Sequence, residues 1–402
     1  MRLGLGIPKP IATIFWAVTF LEATFGSYLS IWPLWIERLG APVAVVGLLV
    51  GASGFLRLGV LIPSATIAER LGYRRAILLG RSISAAGLVT AALATHWTHL
   101  IVMVLATAVG EIVFPLAQSL VAGLGGEQRV RSFALVFSVG PSIALIIAPL
   151  ISGALVSLWG MRAAFILAAV CTIISILFFS RVKEPKIAPT KEGEKPSSYR
   201  AAASDPAVRL VLTFLPSAVF ALSLGASFVP VFLEDVRGMA PATIASLSSA
   251  GAIGSAAMGL AVARVPRLER APFIAVAIVV GLTAVGFVLF RSTGAIVLVI
   301  VAFLFRGGLF SSWALLAAAL GDLAPAAHRA RAFALGEMAG GLAFALGPVV
   351  AGPLYAQRES LPLDAGTVLA VLLVPALLLA QRRATRLRAR ASTPVVPVTE
   401  NA

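Results

Sequence analysis

The chain has 402 residues, of which 59% are hydrophobic and only 12% are charged, and its formal net charge is +15. A soluble globular domain carries roughly a quarter of charged residues. This composition therefore excludes a soluble fold and makes the lipid bilayer the main solvent. The single cysteine, Cys171, lies in an apolar run and excludes a disulfide within the chain.

Apolar runs long enough to cross a membrane recur along the whole chain. A spanning helix needs ~17–25 residues, and the runs lack the two-residue alternation of barrel strands. The first run exceeds the length of a signal peptide and lacks a small-residue cleavage site, so we expect it to be retained. We predict an all-α membrane protein with twelve transmembrane helices at 11–36, 43–68, 76–95, 98–122, 132–157, 163–180, 208–233, 241–263, 271–290, 294–320, 332–355 and 365–380.

Basic residues alternate between the loops on the two sides of these spans. With the N-terminus inside, the inner segments hold twenty-five Lys and Arg residues, and we count Arg81 among them. This asymmetry obeys the positive-inside rule and predicts a multi-pass protein of the cell (inner or plasma) membrane with both termini cytoplasmic. The positive surplus is expected to face anionic lipid headgroups and not nucleic acid. The outer loops hold only Arg38, Arg162, Arg237, Arg291 and Arg358.

The two halves of the chain are copies of one another. The stretch RVRSFALVFSVGPSIALIIAPLISG at 129–153 recurs as RARAFALGEMAGGLAFALGPVVAG at 329–352, and Ala41-Pro42 recurs as Ala240-Pro241. A tandem duplication of this kind predicts two pseudo-symmetric six-helix bundles. The predicted units are an N-terminal bundle at 1–180, a polar cytoplasmic linker at 181–206, a C-terminal bundle at 207–382 and a disordered basic tail at 383–402.

Small residues recur at four-residue spacing in both copies of this stretch. Rows of small residues let two helix backbones approach closely in lipid, where there is no hydrophobic drive for helices to associate. We therefore predict a helix-packing motif in spans five and eleven. Its residues are Gly140, Ala144, Ala148, Pro149 and Gly153 in the first copy and Gly347, Pro348 and Gly352 in the second.

The segment AERLGYRR at 68–75 resembles the signature between spans two and three of the major facilitator superfamily. That signature has an Asp-Arg pair, a Gly two residues further on and a basic cluster. The resemblance implies a twelve-helix transporter in which these residues latch neighbouring helices through charge-assisted bonds. The alternative is a basic inner loop that follows topology alone. The matching residues here are Glu69, Arg70, Gly72, Arg74 and Arg75.

Span five also resembles, in degenerate form, the Gly-Pro-rich signature that this family associates with exporters. The resemblance therefore extends to the drug/proton antiporter-like branch. Because the same motif is repeated in span eleven, a purely structural role is the alternative. Many proton-coupled members carry an Arg in span four, where this chain has Ala106.

Five ionisable residues lie inside the predicted spans, and none has a charged counterpart in the other repeat. A charge at bilayer depth costs at least ~2.5–3.5 kcal/mol, so a position that one copy leaves uncharged indicates function. The alternative is ion pairing that fixes helix packing. Three carboxylates against two arginines leave one acid available to take up a proton. We predict Glu22 or Glu111 as this carrier, with Arg57 as its alternating partner. The five residues are Glu22, Arg57, Glu111, Arg306 and Glu337.

We expect secondary active transport of a small molecule by alternating access, with Phe25, Tyr28 and Gln118 along the pathway. The spans hold few hydrogen-bonding side chains, which favours proton-coupled efflux of a lipophilic or amphipathic solute. One alternative is uptake or exchange of a small organic anion bound by Arg57 and Arg306. A second alternative, from another class, is a non-transporting membrane receptor or scaffold.

The sequence shows no parts for membrane enzymology. It has no phosphate-binding Gly loop with its Lys and no paired nucleophile and base, so an enzyme is not expected. His96 and His99 are three residues apart but lack a third ligand, so no metal site is predicted. We expect no cofactor, and as partners a small-molecule substrate, protons and membrane lipids, with the chain acting as a monomer and binding no nucleic acid.

Overall fold

The computed structural model describes residues 9–61, 64–124, 129–182, 198–325 and 328–392. Throughout these ranges the chain is helical and carries no strand. Twelve helical stretches within them are long and apolar enough to cross a membrane. The predicted all-α architecture with twelve spans is therefore confirmed.

The first half of the chain supplies spans one to six. Span four consists of α6 and α7, and span five consists of α8, a π-helical segment at Leu135–Val139, and α9. A short 3₁₀ turn at Trp97–His99 precedes span four. The helices are α1 (Lys9–Tyr28), α2 (Trp32–Arg38), α3 (Val43–Leu61), α4 (Ser64–Leu71), α5 (Tyr73–Leu93), α6 (Leu100–Gly110), α7 (Val113–Leu124), α8 (Arg129–Ala134), α9 (Gly140–Trp159) and α10 (Arg162–Phe179).

The second half repeats this order, with span ten built from α17 and α18. Asp205 caps the first span of this half, because its Oδ1 accepts from the backbone N–H groups of Ala207 and Val208 at 2.9 and 3.0 Å. The helices are α11 (Tyr199–Ser204), α12 (Pro206–Ala226), α13 (Val229–Asp235), α14 (Pro241–Arg264), α15 (Pro266–Glu269), α16 (Pro272–Ser292), α17 (Ile296–Arg306), α18 (Gly308–Leu323), α19 (Arg329–Gln357) and α20 (Leu361–Ser392).

The small-residue rows of spans five and eleven pack inside their own halves. On α9, Ser152 Oγ donates to the carbonyl of Ser27 on α1 at 2.5 Å, and a Cβ on Gly26 would lie 3.1 Å from that of Ala148. On α19, Gly347 lies against Ser223 of α12. The two copies of the motif therefore have the same structural role. Each lets span five or span eleven pack closely against the first span of its bundle.

The opposite faces of the same helices join the two halves to each other. Gly153 of α9 lies against Ala242 and Ser246 of α14, and Gly352 of α19 lies against Val43 and Ala44 of α3. Glycine is needed here because a side chain would occupy the space of the facing helix. The pseudo-symmetry of the sequence is thus repeated in the contacts between the bundles.

Short helices α2 and α13 meet at one end of the molecule, which we call the α2/α13 end. There Arg38 of α2 forms an ion pair with Glu234 of α13, with 2.6 Å between Nη2 and Oε1. The 3₁₀ turn before span four also lies at this end, because the Trp97 N–H donates to the carbonyl of Leu39, just after α2, at 3.2 Å. The halves are therefore in contact at this end through charge as well as packing.

The structure describes part of the predicted linker and part of the predicted tail. Part of the predicted linker is helical, since α11 covers Tyr199–Ser204 and packs against α19, while residues 183–197 lie outside the described part. The tail predicted to be disordered from 383 is helical up to Ser392. Its Arg388 donates to the carbonyl of Arg270 at 2.7 Å and pairs with Asp322, which anchors the last turns of α20 to the bundle.

Candidate functional site

A buried arginine lies at the centre of the first bundle. Arg81 is on α5 in span three, and only 3% of it is exposed. One of its Nη atoms donates to Thr172 Oγ1 of α10 at 3.1 Å and approaches Thr24 Oγ1 of α1 at 3.4 Å. The two threonine hydroxyls are themselves 3.0 Å apart. Arg81 therefore connects spans one, three and six through hydroxyl groups.

Two of the predicted intramembrane acids are grouped around this arginine. Arg81 interacts electrostatically with Glu111 of span four, with Tyr28, and with Glu22 of span one. Glu22 and Glu111 are half-buried, and Tyr28 is 5% exposed. We call Glu22, Arg81, Glu111 and Tyr28 the Arg81 cluster. It brings two carboxylates, one guanidinium and one phenol together from three spans.

Glu111 reaches this position because the fourth span breaks at it. α6 ends at Gly110 and α7 begins at Val113. Pro115 has no N–H to donate to the carbonyl of Glu111, four residues earlier, and its ring crowds that carbonyl. The Phe114 N–H bonds to the Glu111 carbonyl instead, at 3.3 Å. This break in span four lies at Glu111, and Gln118, predicted along the pathway, is exposed on α7.

Aromatic rings surround the cluster on the side of span one. Phe25 stacks near Phe114 of span four with 6.5 Å between ring centroids, and lies 6.3 Å from Tyr28. Tyr28 in turn lies 5.7 Å from the fully buried Phe165. Phe25 is only half-buried. An apolar, aromatic wall of this kind lowers the local dielectric and strengthens electrostatic interactions within the cluster.

The prediction that Arg81 belongs to an inner basic segment is wrong. It lies eight residues after the start of α5 and is buried among threonines, too deep in the bundle for a loop position. The repeat contains a sequence signal for Arg81, because the matching positions in the other half, Val280 and Gly281, are uncharged. Arg81 also changes the charge count inside the spans to three arginines against three carboxylates. Over these six residues no acid is in surplus, and the proton carrier stays a prediction.

The local balance of charge in the Arg81 cluster differs from this count. There two carboxylates face one arginine, as Glu22 and Glu111 both interact with Arg81. The partner predicted for them, Arg57, has its backbone on α3, but its side chain lies outside the described part of the chain. Many proton-coupled family members carry an arginine in span four, where this chain has Ala106. The buried guanidinium of the first bundle is that of Arg81, in span three. It lies on the neighbouring helix, and Ala106 itself packs against Gly87 of α5.

The second half carries its charges differently. Arg306 ends α17, and its Nε is buried with no hydrogen-bond partner among the described residues. Its guanidinium lies 5.8 Å from the centroid of the Phe303 ring. Glu337 is exposed on α19 and accepts from Trp313 Nε1 at 3.3 Å, which links spans ten and eleven. The structure therefore does not join Arg306 and Glu337 into one group.

The predicted latch can be followed only in part. Gly72 has φ +85° and forms the turn between α4 and α5, a left-handed conformation that favours glycine. Arg70, Arg74 and Arg75 are exposed around it. The side chain of Glu69 lies outside the described part of the chain. The turn is thus in place, and the charge-assisted latch stays a prediction.

Comparison with known proteins gives one family and one fold. The family model described as the Major Facilitator Superfamily matches residues 14–348. An uncharacterized MFS-type transporter of Mycobacterium tuberculosis (strain ATCC 25618 / H37Rv) is 27% identical over 121 residues, which are 30% of this chain and 29% of that relative. The match therefore spans less than a third of the relative's length.

Solved structures resemble the chain over nearly all of its length. A bacterial homologue of the human lysosomal transporter Spinster, inward-facing and unoccupied, has a TM-score of 0.75 at 17% identity and covers 94% of this chain and 97% of its own. The peptide transporter POT in complex with sulfate has a TM-score of 0.76 at 16% identity, covering 96% and 97%. The human organic anion transporter MFSD10 has 0.63 at 16%, covering 92% and 100%. At these identities the likeness is one of fold.

Proposed function

The chain belongs to the Major Facilitator Superfamily, and on that premise we propose that it is a proton-coupled secondary active transporter whose proton site is the Arg81 cluster. The observation that carries this proposal is the grouping of Glu22 and Glu111 around one buried guanidinium. Two carboxylates that share one cation in a low-dielectric site do not both stay ionised easily. One of them therefore exchanges a proton as the access to the site changes.

Alternating access supplies the two states that such a proton must distinguish. The halves touch through α3–α19, α9–α14 and the α2/α13 end. With both termini in the cytoplasm, as the basic loops predict, the α2/α13 end faces outwards and these contacts support an inward-facing state. Rocking of the bundles about the α3–α19 and α9–α14 contacts then exposes the site to either side. A proton drives this movement only if it binds one state more tightly.

The substrate that suits this site best is lipophilic or amphipathic, and the direction we propose is export, as in the drug/proton antiporter-like branch. Phe25, Phe114 and Tyr28 offer rings beside the cluster, and only the carboxylates and Arg81 offer strong polar contacts there. Stacking and apolar contact reward a substrate with aromatic surface. A proton entering at Glu22 or Glu111 would then replace the leaving substrate.

A second candidate is uptake or exchange of an organic anion, and Arg306 favours it. Its Nε is buried without a hydrogen-bond partner, and among the described residues no carboxylate lies within 4.0 Å of the guanidinium. A buried guanidinium without an acid is suited to a carboxylate on the substrate. If carboxylates raise the melting temperature of the purified protein, and Arg306→Ala removes this stabilisation, transport of an organic anion is favoured over transport of a lipophilic or amphipathic solute.

The test uses purified protein in liposomes with an imposed pH gradient. A thermal-shift screen over lipophilic cations, neutral aromatic compounds and aromatic carboxylates first selects the probe. We expect a pH gradient to accumulate this probe with wild-type protein, and Glu22→Gln or Glu111→Gln to abolish accumulation while exchange without a gradient continues. Glu269→Gln, an exposed acid on α15, is the matched control.

Two results would contradict the proposal. If both single variants still accumulate the probe like the control, neither acid carries the proton. If no compound moves in any gradient, and the Arg81 cluster can be replaced without effect on any binding, the chain is a receptor or scaffold and not a transporter.

A further inference from the structure

The α2/α13 end gathers more negative charge than its single ion pair can balance. Glu37 and Arg38 end α2, and Glu234 and Asp235 end α13. Among the described residues, only Arg38 and Glu234 form an ion pair across the two halves, at 2.6 Å. When this end is closed, the carboxylates of Glu37, Glu234 and Asp235 share one arginine, Arg38. Asp235 and Glu234 act electrostatically on Glu37, and neighbouring like charges repel one another.

The two acids of α13 are already engaged. Glu234 is held by Arg38. Asp235 Oδ2 accepts a hydrogen bond from Tyr355 Oη of α19 at 2.8 Å, and the Tyr355 ring stacks on Phe228 with 5.0 Å between centroids. Glu234 must be ionised to pair with Arg38, and Asp235 must accept the hydrogen bond from Tyr355. Glu37 is the remaining acid of the group, and it is half-buried at the contact between the halves.

We propose that closing the outer end of this protein binds one proton from the outer solution, held on Glu37 against Asp235 and Glu234. The proton removes one of the three negative charges and leaves the Arg38–Glu234 pair and the Tyr355–Asp235 hydrogen bond intact. When the halves separate, Glu37 returns to water and releases the proton. The outer contact then acts as a second proton-sensitive element, separate from the Arg81 cluster.

The electrostatic surroundings of Glu37 agree with this assignment. The pKa of Glu37 is raised from its ordinary 4.5 to about 7; burial contributes most, Asp235 and Glu234 come next, and Arg38 opposes them. Tyr355 and Asp235 face it from α19 and α13. α3, which also packs on α2, carries no ionisable residue before Arg57. The groups around Glu37 are therefore mainly negative.

The sign of the pH effect follows from the raised pKa in the closed form. A proton bound more tightly in the closed form favours closing, so the closed form gains below about pH 7 and loses this support as the pH rises through 7. The rise from 4.5 to about 7 would change the closed-to-open ratio by up to about 300-fold. Salt and partial exposure reduce this, and we expect about tenfold or more.

The experiment measures the outer contact directly and needs no substrate. Spin labels at Pro42→Cys and Ala240→Cys, two exposed positions just before α3 and α14, report the separation of the outer ends by pulsed EPR in a Cys171→Ser background. We expect the short distance to gain over the long one, by about tenfold, as the pH falls from 8.5 to 5.5. Glu37→Gln should hold the short distance at all pH values.

This inference rests on the alternating access of the proposed function but not on its proton site. The variant Glu22→Gln/Glu111→Gln should therefore keep the pH-dependent distance, even though it abolishes proton-driven accumulation. An unchanged distance between pH 5.5 and 8.5 in the wild-type protein would overturn the inference. So would a Glu37→Gln protein with the same pH response as the wild type, whether or not the Arg81 cluster proves to carry the transported proton.

Discussion

Arg81 of the third span donates a hydrogen bond to the hydroxyl of Thr172 in the sixth span at 3.1 Å. The contact fixes a buried guanidinium inside the first bundle, within α5 and away from its ends. It also aims the positive charge at the acids of spans one and four. The chemistry of the site therefore depends on a residue that supports the fold at the same time.

Replacing Arg81 should damage both stability and coupling. Arg81→Ala leaves Glu22 and Glu111 in a low-dielectric bundle without their cation, which should destabilise the protein by about 3–5 kcal/mol. Unfolding in detergent, followed by circular dichroism, measures this change. Arg383→Ala, which changes an exposed arginine on α20, should alter stability by less than about 0.5 kcal/mol. Equal effects of the two variants would contradict the assigned role of Arg81.

The hydroxyl of Thr172 should matter more than its methyl group. Thr172→Val removes the acceptor of the Arg81 bond and the hydroxyl that contacts Thr24 while preserving shape, so we expect a loss of about 1–3 kcal/mol and a shifted pH profile of transport. Thr172→Ser keeps the oxygen and should behave like the wild type in the pH profile. If Val and Ser variants show the same profile, the hydroxyl does not position Arg81.

Glycine at position 47 should be required for the contact between the halves. A Cβ there would collide with the carbonyl of Pro348 and lie 3.0 Å from the Gly352 Cα, both backbone groups of α19 that cannot move aside. Gly47→Ala should therefore disfavour the state with the α2/α13 end closed and abolish transport. Cysteine accessibility at the two ends of the bundle would detect the shift.

A control for this substitution lies on the same helix. Gly59 of α3 has no atom within 4 Å of a Cβ built on it, so Gly59→Ala should leave transport and accessibility unchanged. Helix propensity favours Ala over Gly at both positions by about 1 kcal/mol. A Gly47 variant that transports as well as the Gly59 variant would show that the close approach of α3 and α19 is not needed.

The ion pair between Arg38 and Glu234 should control conformation more than stability. Its side chains are 58% and 22% exposed, and exposed pairs contribute about 0–1 kcal/mol. Arg38→Glu should open the α2/α13 end by repulsion, and the double variant Arg38→Glu/Glu234→Arg should close it again. The same EPR pair reads the distance.

Arg358 offers a matched control for this prediction. It pairs with Asp364 at 2.9 Å within the second half, so Arg358→Glu removes an ion pair of similar geometry that does not join the bundles. We expect no change in the distance between the outer ends. Opening by Arg358→Glu to the same extent as by Arg38→Glu would attribute the effect to general surface charge.

The sequence by itself determined the number of helices, their duplication and the membrane as solvent. Apolar run length and the repeat of 129–153 at 329–352 depend only on local composition, and lipid allows few other folds for such a chain. It also singled out Glu22 and Glu111, because a charge without a mate in the repeat stands out. Their grouping around Arg81 could not be derived from that observation.

Only the tertiary structure decided which charges meet. Arg81 was counted with the loop arginines because a position on a helix does not show which neighbours surround the side chain. Its partner Thr172 comes from span six, 91 residues away. Likewise, Glu37 became notable only when α13 brought Glu234 and Asp235 to it across the two halves. Electrostatic energies depend on distance and burial, and both are fixed by the packing of helices that are remote in sequence.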